Sequence, residues 1–97
     1  MNELTLNNKV LLVTGSTDGI GKQIAIDLAQ LGAIVLVHAR SFQRGEPVIK
    51  SLRREFPGAR FDLFISNFEV QHEIEQMAIA IQRKYDCLHA LIPCIPV

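Results

Sequence analysis

Ninety-seven residues make one small domain, able to withdraw about 65% of its unfolded surface from water, so a single modest core is expected. With 48% hydrophobic and 21% charged residues the chain is globular rather than disordered. Ten basic and ten acidic residues cancel, which leaves no net positive field to favour nucleic acid or an anionic membrane.

No apolar run approaches the ~20 residues of a spanning helix. Residues 1–8 are polar and read as a lead-in, with Leu4 and Leu6 expected to cap the sheet, and lack the basic-then-apolar order of a signal peptide. The expected compartment is the cytoplasm. Cys87 and Cys94 match no common zinc spacing, and His38, His72 and His89 are scattered, so no metal site is expected.

The first predicted element is a strand at about 9–14, in which Val10, Leu11, Leu12 and Val13 are apolar without interruption, as in a strand buried on both faces. Gly15, Gly19 and Gly21 follow at G-x-x-x-G-x-G spacing. Glycine accepts the backbone angles of a sharp turn, and a helix opening without side chains presents its N–H groups to a phosphate. A helix is expected over 19–31, with Ile20, Ile24, Leu28 and Leu31 as its inner face and Gly32 as a left-handed end. Ala33 to Ala39 reads as a second strand, completing a βαβ unit.

Thr14-Gly15-Ser16-Thr17-Asp18-Gly19-Ile20-Gly21 resembles the T-G-x-x-x-G-I-G fingerprint of the short-chain dehydrogenase/reductase family. That resemblance implies a Rossmann-type sheet, a nicotinamide dinucleotide, and oxidation of alcohols or reduction of carbonyls. It makes Gly15, Ser16, Thr17, Gly19, Ile20 and Gly21 the residues around the pyrophosphate and adjoining ribose. A P-loop is excluded, since five residues separate Gly15 from Gly21-Lys22 and Gln23 replaces the hydroxyl residue.

At the end of the second strand, Ala39 stands where NAD-preferring relatives tend to carry Asp. Arg40 resembles the arginine of NADP-preferring relatives, and its planar fork suits a 2′-phosphate. NADP is therefore the expected cofactor, ahead of NAD.

Ser41 to Gly45 reads as a loop, with Pro47 in the first turn of a helix whose inner face is Val48, Leu52 and Phe56 and which Pro57-Gly58 ends. Arg60 to Ile65 is a third strand, with Asp62 its acidic interruption. Asn67 stands near the aspartate that in relatives meets the adenine amino group; Ser66 or Asn67 also suits a helix cap. The strongest helical period runs from Val70 to Tyr85 through Ile74, Met77 and Ile81. A fourth strand is expected over 87–92.

The family reads L-x-x-L-I-N-N-A-G here, whereas this chain reads Leu88-His-Ala-Leu-Ile-Pro-Cys-Ile-Pro-Val97. Pro93 to Pro96 replace residues that hold the strand end and the cofactor ribose. That ending suggests a truncated copy or an interrupted reading frame; nucleotide sequence resuming family-like codons in another frame would support the idea, and its absence would count against it. The family's serine and Tyr-x-x-x-Lys pair find no match, because Tyr85 is followed four residues on by His89. No catalytic residue is assigned.

The expected fold is β-α-β-α-β-α-β, a partial Rossmann-type parallel sheet of order 3-2-1-4 forming one truncated domain over residues 1–97. Two helices should cover one face and the third the other, leaving the fourth strand as an open edge. The reading is the NADP-binding half of an oxidoreductase, not catalytic alone. The alternatives are a non-catalytic nucleotide-binding or interaction module, self-associating or pairing through the fourth strand, and a truncated product without function.

Overall fold

The structure, a computed structural model, describes residues 6–15, 19–67 and 70–92. Strands β1 (Val10–Val13), β2 (Ile34–Ala39), β3 (Arg60–Ile65) and β4 (Ala90–Ile92) alternate with helices α1 (Gly19–Gln30), α2 (Phe42–Glu55) and α3 (Gln71–Lys84). The sheet is parallel throughout, in the order β3-β2-β1-β4. Among the described residues no helix is long and apolar enough to cross a membrane.

Alternation within β1 and β2 divides their apolar side chains between two layers. Leu11, Val13, Val35 and Val37 meet α1 and α2, in a core completed by Ala25, Ala29, Ala33, Ile49, Leu52 and Phe61. Val10, Leu12 and Leu36 point the other way, onto Met77 and Ile81 of α3. Two helices cover one face and one the other, as expected.

The inner face of α1 is turned from its expected position. Gly21, Ala25 and Ala29 are buried, Ile24 and Leu28 flank them, and Ile20 and Leu31 are exposed. Small residues four apart let the helix axis come close to the sheet, and the larger side chains then fill the space on either side. Gly32 ends the turn at φ +97°, with the Ala33 N–H reaching back to the Leu28 carbonyl at 3.3 Å.

Helix α2 begins five residues ahead of Pro47, so Phe42 to Gly45 are helical rather than loop. Ser41 caps it: its hydroxyl accepts the Arg44 N–H at 3.3 Å, and its carbonyl accepts the Gly45 N–H at 3.0 Å. Pro47 thus lies inside the helix and forfeits one hydrogen bond. Close packing favours the early start. A Cβ on Gly45 would stand 2.8 Å from Leu63 Cδ1 and 2.9 Å from Ala39 Cβ, so this turn approaches β2 and β3 as only glycine allows.

The α3 layer is thinner. Met77 and Ile81 are buried, but Val70 and Ile74 of the expected stripe are exposed. Polar bonds hold the helix end instead: Tyr85 donates to Asp62 Oδ2 at 2.8 Å, and Lys84 Nζ lies 2.6 Å from the same oxygen. Strand β4 is also shorter than expected, since ladder pairing covers only Ala90 to Ile92. Before it, the His89 N–H donates to the Val10 carbonyl at 2.8 Å while its Nδ1 accepts the Val10 N–H at 2.9 Å.

Candidate functional site

The four strands run in one direction, so their carboxyl ends share one edge of the sheet, and the order reverses between β1 and β4. Crevices at such a reversal are where open parallel sheets take ligands. Val13 pairs with Val37, whereas β2 and β3 continue together to Ala39 and Ile65. The turn after β1 therefore begins two rows short of the ends of β2 and β3, and level with the end of β4.

Thr14, its side chain buried, closes β1 and bonds through its N–H to the Ile92 carbonyl at 3.1 Å. Gly15 then turns the chain at φ +64°, and Gly19 opens α1 at φ +57°, both left-handed conformations in which a Cβ is strained. Among the described residues, a Cβ at Gly19 would meet nothing within 4 Å. The first turn of α1 carries no acidic residue, and its N–H groups point outward as at any helix start. Among the described residues nothing at this opening opposes a polyanion.

Around it, Ile20 is 78% exposed while Gly21 is buried against the sheet. Ser16 and Thr17 lie outside the described residues. Arg40 is exposed immediately beyond β2, and Asn67 is half-buried two residues beyond β3. Gly15, Gly19, Ile20, Gly21, Arg40 and Asn67 are thus brought to one edge of the sheet.

The candidate cap roles of Ser66 and Asn67 are not realised. Val70 is the N-cap of α3 and makes no side-chain cap bond; Asn67 contributes its backbone carbonyl to the Val70 N–H at 2.9 Å. Ser66 is fully buried, and its hydroxyl has no hydrogen-bond partner among the described residues.

Two further residues at this edge have no fingerprint in the sequence. His38 is buried, and its Nε2 lies 2.7 Å from the Ser66 carbonyl. Burial depresses its pKa below the ordinary value; the bond to Ser66 opposes this, and the Arg40 charge adds to the depression. Glu73, in the first turn of α3, accepts the Asn67 N–H on Oε1 at 3.0 Å. The sequence hint is a histidine next to last in an otherwise apolar strand.

A parallel sheet of this order, with a glycine turn opening its first helix, defines a Rossmann-type dinucleotide-binding protein. Comparison with known proteins gives the family. The sequence profile described as short chain dehydrogenase matches residues 9–95, and this chain belongs to that family, whose members are oxidoreductases using nicotinamide dinucleotides. The short-chain dehydrogenase/reductase drtF of Aspergillus calidoustus is 34% identical over 88 residues, 91% of this chain and 28% of that protein. A solved actinorhodin polyketide ketoreductase variant with NADPH is 31% identical and superposes with a TM-score of 0.82, over 93% of this chain and 34% of that one. The structure of gox2181 superposes at 0.87 over 96% of this chain and 35% of that one; at 20% identity it shows the fold alone. The chain spans about a third of the length of the curated relatives it matches.

Proposed function

We propose that residues 1–97 form the NADP-binding domain of a short-chain dehydrogenase/reductase. The observation that carries this reading is the α1 opening: two left-handed glycines, no described residue within 4 Å of a Cβ on Gly19, and no acidic residue in the first turn. Gly15, Ser16, Thr17, Gly19, Ile20 and Gly21 hold the pyrophosphate and adjoining ribose. Arg40 pairs with the 2′-phosphate through charge-assisted bonds, and Asn67 accepts from the adenine amino group. NADP bound there supplies or takes the hydride exchanged with a carbonyl or alcohol carbon. These residues contribute binding and orientation.

Proton transfer is not among their tasks. Tyr85 is the one tyrosine of the sequence and has His89 four positions on, and its hydroxyl is spent on Asp62. The 97 residues alone are expected not to turn over alcohols or carbonyls; turnover by chain purified away from host dehydrogenases would refute this. Thermal melts followed by circular dichroism test the binding itself. Ligand at a hundred times its Kd adds ~2.7 kcal/mol when only the folded state binds. NADPH should raise Tm more than NADH does, and indifference to both would defeat the reading.

A second reading rests on the β4 edge. Leu91 is 55% exposed there and Ala90 is also exposed, as in a strand left open to pair with another chain. In that reading the chain is a non-catalytic module that self-associates or joins a relative. Sedimentation that stays monomeric across a hundredfold range of concentration, with no stoichiometric partner co-purifying, would rule it out.

A further inference from the structure

The peptide group joining Ser66 to Asn67 is held at both ends by side chains. Its carbonyl oxygen accepts from His38 Nε2 at 2.7 Å, and its N–H donates to Glu73 Oε1 at 3.0 Å. The two side chains come from different elements, the end of β2 and the first turn of α3. One residue earlier, the Ser66 N–H makes a last ladder-like bond to the Ala39 carbonyl at 3.0 Å. Backbone pairing thus gives way to a side-chain clamp just where β3 becomes the loop that carries Asn67.

A carbonyl oxygen only accepts, so the proton of the His38 ring must lie on Nε2. A neutral ring suffices, which agrees with the lowering of its pKa by burial. Removing either partner takes away one of the two side-chain bonds that orient the Ser66–Asn67 peptide beside a buried serine, and loosens that peptide. Rotation of that peptide swings the Asn67 side chain, while Arg40, two residues beyond His38, keeps its place.

We infer that His38 and Glu73 are positioning residues for the adenosine end of the site, clamping the Ser66–Asn67 peptide so that Asn67 meets adenine while Arg40 meets the 2′-phosphate. The inference rests on the NADP-binding reading above.

Calorimetric titration with 2′,5′-ADP, which carries adenine and the 2′-phosphate but no nicotinamide, reads this directly. The variants are His38→Leu, Glu73→Ala, Asn67→Ala and the two doubles with Asn67→Ala. Each clamp variant should weaken 2′,5′-ADP about five- to tenfold, the worth of roughly one hydrogen bond. Neither should weaken it further once Asn67 is already alanine, because the clamp acts through that side chain. His38→Gln, whose amide can donate to the Ser66 carbonyl, should restore most of the loss. Glu73 is part-exposed on a helix, so Glu73→Ala keeps the test open if His38→Leu fails to fold.

Equal weakening in the presence and absence of Asn67 would overturn the clamp, since a general loss of packing acts that way. So would unchanged binding in both clamp variants, with the NADP reading left standing. Failure of the unaltered chain to bind 2′,5′-ADP or NADPH at all would overturn that reading and the clamp with it.

Discussion

The two sides of the sheet are built to different standards. Among the described residues, ten buried side chains on the α1–α2 side form one core around β1, β2 and β3, and β2 and β3 pair over six residues. On the α3 side the buried cluster has five, and β4 pairs with β1 over three. The dense side supports Arg40 and the sheet end before Asn67, whereas the thin side relies on polar fastenings such as Asp62 with Tyr85 and Lys84. Burial gives rigidity without regard to angle, while hydrogen bonds fix an orientation but contribute little net stability. The site draws on both, rigidity from beneath and orientation from the side.

The contrast is sharpest at single leucines. Leu52→Ala, fully buried on α2 in the core of the dense side, should cost about 3 kcal/mol in urea unfolding. Leu91→Ala on exposed β4 should stay within about 0.5 kcal/mol. Equal losses would mean that β4 is covered in solution. Next in size, Arg40→Ala should weaken NADPH by ~10- to 100-fold in a fluorescence titration, the worth of a charge-assisted pair, and leave NADH nearly unchanged. Equal loss of both would remove Arg40 from the 2′-phosphate.

Gly45→Ala probes the dense side for room. Alanine favours a helix by about 1 kcal/mol, but a Cβ there stands 2.9 Å from the Cβ of Ala39, which no rotamer change relieves. Overpacking of this kind costs about 1–3 kcal/mol, so a modest net fall in Tm is expected. A rise would show slack between α2 and the sheet.

The smallest effect concerns the thin side and depends on pH. Burial works against the charge on Asp62, but its bonds to Lys84 and Tyr85 outweigh this and hold its pKa below the ordinary value. Its contribution is present above the unfolded-state pKa and fades as pH falls through the lowered folded value. Burial and the bond to Asp62 push the Tyr85 hydroxyl up to about 12 from its ordinary 10.0, so its contribution holds below pH 10 and is lost between 10 and about 12. Asp62→Asn should remove the acid limb and part of the alkaline limb of a stability–pH curve measured by denaturant melts, burial of Tyr85 keeping the remainder. Unchanged limbs would show that the fastening contributes nothing in solution.

Most of the architecture was legible because buried parallel strands are continuous apolar runs and their turns are marked by glycine. Strand order and the assignment of helices to faces follow from that pattern. The start of α2 was not legible. Proline at position 47 signals a first turn, and only contact between Gly45, Ala39 and Leu63 shows why the helix begins earlier. On α1 the larger aliphatics suggested the inner face, whereas close approach of the helix selects Gly21, Ala25 and Ala29. At the site, a glycine motif declares itself by spacing. His38 and Glu73 do not, since 35 residues separate them and only the fold joins them at one peptide.

Gly45 and Arg40, five residues apart, answer to different selection. In a library sorted only for folded protein, position 45 should return glycine, with alanine far behind and nothing larger, while exposed position 40 should be much less restricted. Sorting the same library for retention on immobilised NADPH should leave position 45 as it was and narrow position 40 to arginine and lysine.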